Sequence, residues 1–276
     1  MKKQLYNTLI IVFAALLLIS AGALILYYIG AQQNQNRYAE LSEMINAATI
    51  PRPSITETPD TTEETAPLLQ PELVEVTDPE SGKTLTILSQ FKSLYLLNNH
   101  IVGWMRIPGT DIDYPVMQTP DEVDYYLKHN FDREYSSRGC LYAREICDIF
   151  APSDNITIYG HRMRDGSMFA RLDKYMDKSF WEENPYIYFD TLTELHTYKI
   201  MAVFLTTATQ GEGFYYHTFV DAASEAEFNE FVTTCQELSL YDTGVNATYG
   251  DKFITLSTCE YSQTNGRLVI VALRIA

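Results

Sequence analysis

A mainly β fold, either a sandwich or a closed barrel, is predicted for residues 84–276 by three observations. Eight short runs rich in β-branched and aromatic residues follow one another between turn signals. Only a few stretches show helical spacing. The 46% hydrophobic content, with 20 Tyr and 13 Phe, supplies enough material for one substantial core.

The N-terminal part has a different character. From about Thr8 to Ile29 the chain is apolar and uncharged, long enough as a helix to cross a hydrocarbon core of about 30 Å. Ala21-Gly22-Ala23 resembles a signal-peptide cleavage site, but apolar residues run on through it to Tyr27-Tyr28. The expectation is therefore an uncleaved signal-anchor at 8–30, after a cytoplasmic tail at 1–7. Lys2 and Lys3 favour a cytoplasmic N-terminus, leaving the remainder outside the cell with the membrane as its anchor. Residues 31–83 read as an extracytoplasmic stalk. Within it, Gln32 to Asn46 shows a weak helical pattern at Tyr38, Leu41, Met44 and Ile45. Pro51 to Glu80 is rich in Pro, Thr and acidic residues and is expected to be disordered. A flexible tether of about 55 residues has a reach of order 40 Å.

Within the domain, Leu85–Leu88 leads into a helix ending near Asn98-Asn99. The strands expected next are Val102–Ile107, Ile112–Val116, Cys140–Ala143, Asn155–Tyr159, Tyr186–Phe189, Thr197–Thr206, Lys252–Thr258 and Arg267–Ile275. A short helix is expected at Met168–Tyr175, with Ser167 as its N-cap. A second runs from Ser224 to Leu238 and opens with Ser224 and Glu227 at capping-box spacing. Its apolar residues Phe228, Phe231, Val232, Cys235 and Leu238 share one face.

A formal charge of −16 excludes nucleic acid as a partner, since phosphate contacts need clustered Lys and Arg. It also argues against a protein lying flat on anionic lipid. Four cysteines are too few for a disulfide scaffold of this size, and none are at CxxC spacing for zinc or redox chemistry. Cys235 belongs to the apolar helix stripe and reads as a small buried hydrophobe. Cys140 and Cys147 flank a strand and loop; a disulfide there is compatible with an oxidising exterior, but nothing demands it. Cys259 ends a strand where the polar loop Glu260–Gly266 begins, a place where a thiol is firmly held yet reachable.

That loop returns to an apolar strand with Arg267 at its mouth. In an antiparallel hairpin Cys259 and Arg267 face each other, with Cβ atoms roughly 5 Å apart. A cation there favours a thiolate and can donate to a developing oxyanion. Such a nucleophile needs a base. His100, His129 and His196 read as solvated surface residues. His161 follows a strand and Gly160, and His217 follows the aromatic run Phe214-Tyr215-Tyr216. Spacing alone leaves the choice between these two open.

Three separated segments carry a resemblance to a known family. Thr255-Leu256-Ser257-Thr258-Cys259, with Arg267 after it, resembles the TLxTC signature of sortases. Asn155-Ile-Thr-Ile-Tyr-Gly-His161, continuing through Phe169, is similar to the histidine segment of class B sortases. Val102 to Val116 is similar to the first strands of that class. The resemblance implies an eight-stranded closed β-barrel with peripheral helices, Ser224–Leu238 being the class B helix. It implies Cys259 as nucleophile, His161 as general acid/base and Arg267 as the oxyanion-stabilising or substrate-orienting cation. Ser257, Glu260, Tyr215 and Tyr216 are the residues expected against substrate. The implied reaction is transpeptidation. A secreted protein is cleaved after Thr in a C-terminal sorting motif, and its acyl group passes to an amine of a peptidoglycan precursor. No metal, calcium included, and no other cofactor is expected. The alternatives are a pilin polymerase using a Lys amine as acceptor, a hydrolytic cysteine protease, and a non-enzymatic stalked receptor or adhesion ectodomain.

Overall fold

A computed structural model of the chain describes residues 2–47, 71–209, 211–262 and 264–276. Most of the acidic Pro/Thr-rich stalk, 48–70, lies outside the described residues. The chain divides into two units, with the division at Glu43/Met44. The first is most of helix α1 (Lys2–Asn46), whose most apolar window has a mean hydropathy of 3.0. Leu, Ile and Ala favour the helix, and between Leu5 and Ile29 large apolar side chains point outward on all its faces. It is long and apolar enough to cross a membrane. It also runs without a break to Asn46, so the weak pattern seen in Gln32–Asn46 is fully helical.

Among the described residues the second unit contains ten strands: β1 (Leu73–Thr77), β2 (Thr84–Leu88), β3 (Ile101–Arg106), β4 (Asp113–Met117), β5 (Leu141–Ala143), β6 (Asn155–Tyr159), β7 (Tyr186–Thr191), β8 (Thr197–Thr207), β9 (Phe253–Cys259) and β10 (Gly266–Arg274). It also holds α2 (Lys92–Leu97), α3 (Lys178–Glu183) and α4 (Glu225–Leu238). Strands β3–β10 close into an eight-stranded barrel in the order β10-β8-β7-β3-β4-β5-β6-β9. Most neighbours are antiparallel, whereas β4–β5 and β6–β9 run parallel. Closure removes the exposed sheet edges that an open sheet of these strands would present.

Strands β1 and β2 form a separate antiparallel hairpin, pairing Leu73 with Leu88 through Thr77 with Thr84. Leu73–Thr77 therefore belongs to the folded unit, although it falls within the segment 31–83 expected to be stalk. Asp78 at the turn secures the hairpin. Its carboxylate accepts from the Ser81 and Glu80 amides at 2.7 and 2.8 Å, from Tyr95 Oη at 2.6 Å and from Asn99 Nδ2 at 3.1 Å. The Ser81 amide first, then the Tyr95 hydroxyl, hold this carboxyl well below the ordinary Asp range. The native state thus favours the charged form. Its contribution is complete above the unfolded Asp pKa and is lost as pH falls through the lower folded value. Asp78→Ala is expected to cost about 2–3 kcal/mol in urea melts at neutral pH, with the gap from the parent shrinking in strong acid.

Helix α4 covers the barrel as its apolar stripe requires. Phe228, Phe231, Val232 and Cys235 pack with Phe204, Phe219, Phe253, Val269 and Val271. The helix starts as expected: Ser224 Oγ accepts from the Glu227 amide at 3.3 Å, while Glu227 reaches back to the Ala223 amide at 2.8 Å. The Met168–Tyr175 segment differs. It is a 3-10 helix at Phe169–Met176, preceded by Met168 at φ 56° rather than capped by Ser167. The Ser167 hydroxyl is occupied elsewhere, donating to Asp165 at 2.7 Å and accepting from Arg138 at 2.9 Å. His196 is buried beside Tyr198 and Glu194 rather than solvated. Cys140 and Cys147 are both buried.

Candidate active site

The parallel pairing of β6 with β9 builds the site. Their register aligns Asn155 with Phe253 through Tyr159 with Ser257. Two residues beyond that last pair, His161 and Cys259 leave the same end of adjacent strands. Hydroxyls of the TLSTC segment hold this alignment. Thr255 Oγ1 donates to Asn155 Oδ1 at 2.7 Å, Thr258 Oγ1 donates to the Gly160 carbonyl at 2.8 Å, and Ser257 Oγ pairs with Tyr216 Oη at 2.6 Å. All three are buried, so each unpaired hydroxyl would carry a desolvation cost. Gly160 is required here. A Cβ on it would lie 2.5 Å from Leu141 Cδ2 and 2.6 Å from the Phe169 ring.

The β9–β10 hairpin pairs Cys259 directly with Arg267. Arg267 Nη1 donates to the Asn265 and Gly266 carbonyls at 3.2 and 3.0 Å, which fixes the guanidinium at the loop end of the hairpin. The His161 imidazole is also held: Nε2 lies 2.8 Å from the Leu127 carbonyl. A carbonyl only accepts, so the hydrogen sits on Nε2 and Nδ1 is left for proton exchange.

Cys259, His161 and Arg267 line one cleft of about 360 Å³, together with Ser257 and Tyr216. Of the residues expected against substrate, Glu260 and Tyr215 are outside this lining. The Glu260 carboxylate turns back to the Ser262 amide, and Tyr215 Oη engages the Gly211 amide. His217 is in the cleft, its carbonyl taking a bond from Arg144. Burial, then Arg144 and Arg267, push its imidazole below the ordinary His range, so the ring is neutral at neutral pH. Sequence reasoning missed Arg144, Glu145, Tyr159, Asp124 and Leu127, which also line the wall. Arg144 directly follows strand β5, the positional signal that picked out His161 and Cys259.

The four thiols differ sharply in setting. Burial pushes Cys147 and Cys235 above the ordinary thiol range, and Cys140 is equally enclosed. Cys259 alone of the four is partly exposed, and it alone faces the cleft.

Comparison with known proteins decides the family. A family model described as Sortase domain matches residues 105–275. Sortase B of Listeria monocytogenes is 34% identical over 191 residues, covering 67% of this chain and 73% of its own length. The chain belongs to the class B sortases. Sortase B of Staphylococcus aureus is 33% identical over 185 residues, covering 66% of this chain and 73% of that protein. Among solved structures, a Staphylococcus aureus sortase B–substrate complex superposes with a TM-score of 0.70 at 25% identity, over 90% of this chain and 98% of the other. Sortase B from Bacillus anthracis gives 0.68 at 29% identity, over 90% and 99%. This sortase is accordingly a cysteine transpeptidase, and its barrel is the sortase barrel.

Proposed function

We propose that this sortase cleaves secreted proteins after the Thr of a C-terminal sorting motif and transfers the acyl group to an amine of a cell-wall precursor. Cys259 is the nucleophile, His161 the general acid/base and Arg267 the donor to the oxyanion. The observation that carries this reading is the convergence of the three side chains on one cleft from two adjacent strand ends and one hairpin.

The Cys259 thiolate attacks the Thr carbonyl, forming a C–S bond, and the tetrahedral oxyanion is met by the Arg267 guanidinium. The C–N bond breaks as His161 gives a proton to the leaving amine. The acceptor amine then forms a new C–N bond to the thioester carbonyl. The C–S pair returns to sulfur, and His161 takes the proton from nitrogen. A thioester suits this exchange because it stays reactive towards amines.

Helix α1 serves as a single-pass anchor with residues 1–7 in the cytoplasm, which leaves the barrel outside, where secreted substrates and lipid-linked precursors meet. The detergent-solubilised chain, given LPxTG-like and NPxTN-like peptides with and without amine acceptors, tests the reaction. Transfer product that grows with acceptor concentration supports transpeptidation; cleavage indifferent to every amine contradicts it. Arg267→Lys is expected to lower kcat/KM about 10²-fold or more, because lysine keeps the charge but not the planar fork. A parent-like rate would remove Arg267 from the chemistry.

A further inference from the structure

A second cavity, lined by residues that closely follow His161 and Cys259 in the chain, plays no part in the mechanism above. It has a volume of about 530 Å³ and is lined by Arg162, Arg164, Arg171, Asp165, Asp173 and Tyr261, among others. Its floor is the loop that begins at His161 and closes through the Phe169 amide to the His161 carbonyl at 2.9 Å. Its other wall comes from Tyr261, two residues past Cys259, whose hydroxyl donates to the Arg162 carbonyl at 3.4 Å and whose ring lies 5.4 Å from the Arg162 guanidinium. The lining thus starts at the residue after His161 and includes the second residue after Cys259, while the pair itself lines the first cleft.

The charge of this second cavity runs against that of the molecule. The chain carries −16 overall, yet the cavity's lining holds three arginines, Arg162, Arg164 and Arg171, against two carboxylates, Asp165 and Asp173. Both carboxylates are engaged: Asp173 by Arg162 at 3.2 Å, and Asp165 by the buried Arg138. Arg171 has only the distant, exposed Asp111 at 3.7 Å, and Arg164 is exposed and has no ion-pair partner among the described residues. The loop makes room for these groups. Gly166, at φ +86°, lies under the Arg171 side chain, and a Cβ there would sit 2.7 Å from Arg171 Nη2.

We infer that this cavity is the acceptor site of the transpeptidase, and that it binds an amine acceptor through an anionic group, a carboxylate or a pyrophosphate, held by Arg164 and Arg171. The inference rests on the reading given under Proposed function and deepens it. A transferase must hold a second substrate beside the thioester, and this cavity's walls are built by the residues that directly follow His161 and Cys259 in the chain. Arginine forks suit carboxylate and phosphate oxygens. The same cations disfavour an ammonium at the cavity and so favour arrival of the acceptor as the neutral, nucleophilic amine.

The test uses the full chain in detergent, one sorting-motif peptide as donor and three acceptors. Triglycine amide carries no anion. A peptidoglycan stem pentapeptide presents its side-chain amine with free carboxylates. A short-chain lipid-linked precursor adds a pyrophosphate. For the double variant Arg164→Glu/Arg171→Glu, the ratio of KM for an anionic acceptor to KM for triglycine amide is expected to rise at least about tenfold over the parent, and Arg164→Lys to recover part of it. A rise with both anionic acceptors assigns the carboxylate; a rise with the lipid-linked precursor alone assigns the pyrophosphate. Ratios within twofold of the parent for both would overturn the proposal. So would a change confined to the donor peptide's KM, which would make the cavity a reader of the leaving peptide. If the parent chain forms no transfer product at all, the transpeptidase reading itself has failed, independently of this site.

Discussion

Cys259→Ala is expected to abolish peptide cleavage, with a rate loss on the order of 10⁴-fold or more. The size follows from chemistry that nothing else in the cleft replaces. Ser257, two residues earlier, is buried and committed to Tyr216, and no second thiol lines the cavity. The other three cysteines are sealed in the interior. Alanine at the partly exposed end of β9 costs little packing, so the variant should melt with the parent. Stopped cleavage assays beside thermal melts separate lost chemistry from lost structure.

His161→Ala should lower kcat/KM by about 10²- to 10⁴-fold, the usual span for removing a positioned general acid/base. His217→Ala should stay within a few-fold, although both rings line the same cleft. The difference lies in geometry. The β6–β9 register carries His161 alongside Cys259, and the Leu127 carbonyl fixes its tautomer. His217 sits on the turn Tyr216–Thr218, where burial first and then Arg144 and Arg267 keep it uncharged. Steady-state kinetics of the two variants on one donor peptide make the comparison. Equal losses would show that the two rings share the task.

What the sequence revealed depended on how local each feature was. The Cys259–Arg267 pairing was legible because only seven residues separate the two in one hairpin, and the register follows from the loop. The choice between His161 and His217 was not, because β6 and β9 lie about a hundred residues apart and pair in parallel, a contact that strand patterning does not specify. Arg144 was missed for a related reason: β5 pairs locally with β6, and only the distant β6–β9 pairing makes that neighbourhood a cleft. Strand β1 escaped notice because it buries only Val76 fully and sits within an acidic, Pro-bearing stretch, so its alternation is faint. The hydroxyls of TLSTC read as part of a chemical signature, yet their bonds are structural, locking together the strands that present the thiol and the imidazole.

The covalent intermediate tests the central claim most directly. The chain is mixed with a sorting-motif peptide without acceptor, quenched in acid, and measured by intact and peptide-level mass spectrometry. The expected result is a mass increase equal to the donor fragment ending in Thr, mapped to Cys259 and discharged by hydroxylamine or an acceptor amine. Cleavage without any adduct, or an adduct on another residue, would contradict the account.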